Sequence, residues 1–168
     1  MKHILALILT LLPIQSFAGD VMLLSAEVSS QCDAGSFAVN SVNFGPELIN
    51  AVNSKTDYTI SVSFSAYCNV AGPAIKFQST KGGLTSAIDP TKVINYSVSI
   101  AAGSGDITPG ATLPAADIAG TPTSAGTLNV GGSTVNGMVN IVFKTSEVTH
   151  PLTPDTYTDF LAIVVEQP

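Results

Sequence analysis

The sequence predicts an all-β domain, and three observations predict it. The run from Tyr58 to Cys68 alternates without a break: Tyr58, Ile60, Val62, Phe64, Ala66 and Cys68 share one parity, and Thr59, Ser61, Ser63 and Ser65 share the other. Later stretches repeat that period of two, and no segment carries a convincing helical period. Only 11% of the residues are charged, while Ser, Thr, Gly and Val are abundant, a composition suited to pleated sheets with neutral polar faces.

From the N-terminus, Lys2, the apolar run Ile4 to Leu12 and the small-x-small pattern Ser16-Phe17-Ala18 read as a secretory signal over residues 1–18. Pro13, Gln15 and Ser16 interrupt the run and argue against an uncleaved anchor, and the mature protein is expected to be soluble and exported. Asp20 to Ser30 forms a spare strand within an N-terminal extension over 19–31. Met22, Leu24, Ala26 and Val28 alternate there with Leu23, Ser25, Glu27 and Ser29.

The domain proper is expected over 32–168. Ser36 to Phe44 suggests a short kinked strand carrying Phe37, Val39, Val42 and Phe44, ended by Gly45-Pro46. After the Tyr58 strand, Ala74 to Gln78 points Ile75 and Phe77 to one side and stops at Lys81-Gly82-Gly83. Val93 to Ala101 opposes Ile94, Tyr96, Val98 and Ile100 to Asn95, Ser97 and Ser99. Ala102 to Gly126, rich in Gly, Ala, Pro and Thr, reads as a long irregular crossover with at most one short strand.

Thr127 to Val130, a Gly131-Gly132 turn and Thr134 to Lys144 restore the pattern, with Val135, Val139, Ile141 and Phe143 on one face. The last strand, Thr156 to Glu166, carries Tyr157, Leu161, Ile163 and Val165. About six or seven strands of this kind suggest an immunoglobulin-like β-sandwich. The last strand, running to Glu166-Gln167-Pro168, is expected to leave an edge or groove with no further segment to cover it. A spare strand, with a sheet that this ending could leave incomplete, suggests exchange between neighbours by β-augmentation.

Two cysteines in an exported chain most simply pair, Cys32 with Cys68. Closing that loop removes unfolded-state entropy worth about 4 kcal/mol at most.

The function classes excluded are as telling. Without Lys2, five lysines face twelve acidic residues and there is no arginine, so the surface repels phosphate backbones and nucleic acid is not an expected partner. His150 is the one histidine left after cleavage and is expected to be a solvated loop residue. No Gly-x-Ser-x-Gly turn presents a nucleophile, and one histidine with two oxidised cysteines cannot supply a metal's ligand set. Gly103-Ser104-Gly105-Asp106 is too sparse in acids for a calcium loop. Asp155 and Asp159 could work as an acid and base pair on a glycan, but no tryptophan platform accompanies them. Neither an enzyme nor a cofactor is expected. Tyr157 is expected to cap a backbone group at a sheet corner.

Several short elements together resemble the spore coat protein U family, the class that includes subunits of archaic chaperone-usher pili. They are Val28-Ser29-Ser30-Gln31-Cys32 after an alternating strand, Val42-Asn43-Phe44-Gly45, Ala66-Tyr67-Cys68, the Asn95-Tyr96 pair, and Asp155-Thr156-Tyr157-Thr158-Asp159 before a hydrophobic last strand. The absence of arginine and the ending Glu166-Gln167-Pro168 depart from the family's pattern.

The resemblance implies an incomplete sandwich lacking its final strand. A periplasmic chaperone lends a strand to its groove, and an outer-membrane usher exchanges that strand for the N-terminal extension of the neighbouring subunit. Met22, Leu24, Ala26 and Val28 then become the donor side chains, the three large ones contributing about 1.5–3 kcal/mol each when buried. The protein would be a pilus subunit on the cell surface, serving adhesion and biofilm formation. Two other readings stay open: a self-complete secreted module binding a glycan or protein partner, and a structural layer of a spore or cell coat.

Overall fold

The computed structural model describes residues 31–38, 45–70, 72–129, 131–150, 152 and 155–167. The signal, the extension with Met22, Leu24, Ala26 and Val28, and the Val39 to Phe44 part of the kinked strand lie outside the described residues.

Among the described residues the chain is all-β apart from one α-helix and two short 3-10 turns. β1 (Cys32–Phe37) is followed by α1 (Gly45–Ser54), β2 (Tyr58–Cys68), β3 (Ala74–Ser79), β4 (Leu84–Ser86), β5 (Val93–Ile94) and β6 (Tyr96–Ile100). Then come β7 (Ile107–Pro109), β8 (Leu113–Pro114), β9 (Thr123–Leu128), β10 (Ser133–Phe143), β11 (Tyr157–Thr158) and β12 (Leu161–Glu166). One sheet has the order β1-β2-β10-β6-β8, a second β12-β3-β9-β7, and a small third β11-β4-β5.

β2 and β10 form the spine, because two long alternating strands in antiparallel register bury one face each. Every residue from Tyr58 to Cys68 has a partner between Phe143 and Ser133. Val62, Phe64, Ala66 and Cys68 are buried, as are Val135, Val139 and Phe143 across the ladder. From the second sheet, Ile75 and Phe77 are fully buried, and they join the same core cluster with Ile163 and Val165. Gly137 belongs to this inward set because it sits opposite Phe64: a Cβ there would lie 2.6 Å from the ring.

The helix corrects the expectation of none. Pro46 stands in its first turn, where the missing N–H costs nothing, and Leu48 and Val52, four apart, are its buried face. Its end carries a Schellman pattern: Lys55, at φ 55°, donates its N–H to the Val52 carbonyl and Thr56 donates to Ala51. A lysine holds the left-handed position where glycine is usual, so the stop signal was hidden. The lysine Nζ also reaches the Val148 carbonyl.

The Gly/Ala/Pro-rich crossover is likewise more ordered than expected. It contains β7, β8 and a 3-10 turn at Ala115–Ile118, and β9 begins within it. β9 lies between β3 and β7, so its weak local propensity is compensated by pairing on both sides. Two predicted strands are also broken in two, at Asn95 and at Asp159-Phe160.

Candidate edge site between the two sheets

Each main sheet has two edges, and they differ in chemistry. On one side stand β7 and β8, of three and two residues, each ending in a proline that blunts further pairing. On the other side stand β1 and β12, which approach within 8 Å between Cα atoms without forming a ladder with each other. Among the described residues β1 pairs only with β2, and β12 only with β3.

The register shows which main-chain groups face outward. The Thr80 N–H donates to the Phe160 carbonyl at 2.9 Å, and Leu161 lies opposite Ser79. Alternation then turns Ala162, Val164 and Glu166 toward β3 and the N–H and C=O groups of Leu161, Ile163 and Val165 away from it. The same reasoning on β1, from Asn69 N–H to Gln31 C=O at 2.9 Å and Ala38 N–H to Ser63 C=O at 2.8 Å, turns the groups of Cys32 and Phe37 away from β2. From Leu161 to Val165 β12 holds neither charge, proline nor glycine, and the Glu166 carboxylate is ion-paired with Lys76 on β3. A hydrophobic edge without such guards is a template for another strand.

Cys32 and Cys68 form the expected disulfide, directly across β1 and β2 with their Cα atoms 4.0 Å apart. That spacing suits a pair that exchanges no main-chain bonds. One residue upstream, Gln31 N–H donates to the Asn69 side-chain oxygen at 2.7 Å. The chain is therefore doubly anchored where it enters β1.

Asp159 holds the start of β12. Its Oδ1 accepts from the N–H groups of Lys81 (2.9 Å) and Phe160 (2.7 Å), and its Oδ2 from Ser79 Oγ (2.5 Å), Tyr96 Oη (2.8 Å) and Gly83 N–H (3.1 Å). Burial, with the nearby Asp159 charge adding to it, pushes the Tyr96 phenol well above its ordinary range, so it stays a donor. Asp155 repeats the device four residues earlier, accepting from Ser86 Oγ, Ile88 N–H and Thr156 N–H. The Ser86 hydroxyl is the main reason that its carboxyl is held below the usual range. In both cases the serine accepts in turn from an N–H three residues on, Gly82 or Asp89.

These carboxylates pin the chain between β10 and β12 onto the turns around β4, each holding its own separate set of donors. Tyr157 is not the corner tyrosine: its Oη is buried with no hydrogen-bond partner among the described residues, and Tyr96 carries the structural hydroxyl instead. In the sequence Tyr96 stood out only as an inward residue of its strand and as part of the Asn95-Tyr96 pair. His150 also departs from expectation, being half-buried with both ring nitrogens out of solvent.

Among the described residues no cluster of His, Cys, Asp or Glu could hold a metal ion, and no helix is long and apolar enough to cross a membrane. No protein-family model matches this sequence, and no curated protein matches it.

Proposed function

We propose that the protein is a structural subunit of a surface pilus, assembled by donor-strand exchange with neighbouring copies or related subunits. The observation that carries this reading is the unguarded hydrophobic edge of β12 beside the edge of β1, set against the proline-ended edges opposite. Leu161, Ile163 and Val165 line that edge with inward side chains, and an added strand paired to them places its own alternate side chains on the same face. Met22, Leu24, Ala26 and Val28 have the required period and span seven residues, close to the six of β12.

Chain direction favours exchange between molecules. β1 and β12 run in opposite directions, because Cys32 stands beside Cys68 and Glu166 beside Ala74, at the end where β2 hands over to β3. A segment entering β1 at Gln31 could reach the β12 edge of its own domain only in parallel. A strand from another molecule is free to add antiparallel, the slightly more stable arrangement. The chaperone and usher expected as partners, the export route and the likeness to the spore coat protein U class belong to this same proposal.

The test compares the mature chain with one in which residues 20–30 are moved behind Pro168 on a short flexible linker. Ladders or aggregates from the native order, and a stable monomer from the rearranged chain, are expected. Leu24→Asp in the native order is expected to stop polymerisation while leaving the disulfide-linked domain soluble with a chaperone. A native chain that is already a stable monomer overturns the proposal.

A further inference from the structure

We infer that the outer face of β2 and β10 carries a binding site for a neutral saccharide. A hollow of about 490 Å³ opens there, lined chiefly by Ala38, Ser63, Ser65, Ser104, Asn136 and Met138. Its volume falls within the roughly 300–1,000 Å³ of small-ligand sites. It lies on the outer face of the sheet rather than along the free edge, so the inference does not rest on strand exchange.

The walls of the hollow are hydrogen-bonded to its floor. Its floor is mid-ladder, with Ser63 opposite Met138 and Ser65 opposite Asn136. One wall is fixed by Ala38 N–H donating to the Ser63 carbonyl at 2.8 Å. The other is fixed by Ala101 N–H donating to the Met138 carbonyl at 2.8 Å, and by the buried Ser104 hydroxyl. That hydroxyl accepts from Met138 N–H at 3.1 Å and donates to the Ala101 carbonyl at 2.6 Å. A site shaped this way needs no ordering when a ligand arrives.

The lining selects the ligand by charge and by polarity. No lining residue is charged, and neither β2 nor β10 contains a charged residue, in a chain whose formal net charge is −6. An anion or cation would lose hydration here against no counter-charge. A purely apolar ligand would cover the Ser63 hydroxyl and the Asn136 amide without pairing them, which is also unfavourable. Between these polar groups the Met138 side chain, 45% exposed, offers an apolar platform. A pyranose matches that pattern: hydroxyls that donate and accept around its rim, and an uncharged C–H face to lie on the thioether.

The test is saturation-transfer NMR with the mature full-length chain, which observes the ligand and works whether the chain is monomeric or polymerised. The probes are methyl glycosides of glucose, galactose, mannose and N-acetylglucosamine, with a methyl glucuronide as the charged comparison. At least one neutral glycoside is expected to bind with a Kd on the order of millimolar, as suits an open hollow. Asn136→Ala is expected to weaken it about 3- to 10-fold, the loss of a neutral hydrogen-bonding group. Ser63→Leu, at an exposed strand position, fills the hollow and is expected to abolish binding. Thr59→Ala, on the same face outside the hollow, is expected to leave it unchanged. The inference is overturned by the absence of transfer to every neutral glycoside, by binding that survives Ser63→Leu, or by equal binding of the glucuronide. It is also overturned if Ser63→Leu changes only the sedimentation of the protein, since the face would then be a contact between copies.

Discussion

Replacing Asp159 by alanine removes the acceptor for five hydrogen bonds at once, and the cost follows from where their donors lie. Lys81 and Phe160 are exposed, so their N–H groups turn to water at little expense. Ser79 and Gly83 are buried and Tyr96 is 4% exposed, so their donors lose a partner that solvent does not replace. An orphaned buried donor costs about 1–3 kcal/mol, and partial water entry places the total near 4 kcal/mol. Against a typical stability of about 5–15 kcal/mol this is a large fraction. For a domain of this size it corresponds to a fall in Tm of about 8–15 °C. Thermal unfolding of residues 19–168 in the oxidised state, followed by circular dichroism, reads it directly. Asp159→Asn keeps one carbonyl for the buried donors and is expected to lose about half as much. An alanine variant melting within about 3 °C of the parent would refute the assignment of Asp159 as the pin that sets where β12 begins.

Gly137→Ala forces a methyl group to 2.6 Å from the Phe64 ring and 2.8 Å from Ile107, and is expected to cost about 1–3 kcal/mol by chemical denaturation, where an open site would gain from the same change. Ile163→Pro removes an N–H that faces away from β3, so it is expected to block polymerisation more completely than Ile163→Ala, which loses the same buried side chain; equal fibre yields from the two would show that strands do not add there. Ser86→Ala is expected to move the Asp155 pKa up toward the ordinary carboxylate range in an NMR titration. Because the folded pKa is depressed, the stabilisation is present above about pH 4 and is lost as pH falls through the folded value, so the stability gap between parent and variant should narrow as pH falls below the ordinary carboxylate range; a gap independent of pH counts against the bond.

Period-two alternation is a local property, and by itself it determined the strands β2, β3, β6, β10 and β12 and their inward side chains, from Phe64 to Phe77, Val98, Phe143 and Ile163. The expectation of export, together with a count of two cysteines, pointed to the disulfide in the same way. Tertiary structure decided the rest, since those features depend on partners distant in sequence. The helix at Gly45–Ser54 buries only Leu48 and Val52 and stops on a lysine, so nothing in its composition announced it. β9 is a strand because β3 and β7 flank it, and its Gly126 is required there because a Cβ would meet the Thr108 carbonyl at 2.8 Å. Asp159 and Tyr96 are 63 residues apart and meet only once β6 and the approach to β12 are in place. Beyond the edge expected beside the last strand, which strands border each sheet was the least legible feature. Whether a hydrophobic strand is central or bordering depends on how many neighbours it has, and in β12 the same side chains and the same alternation would serve either position.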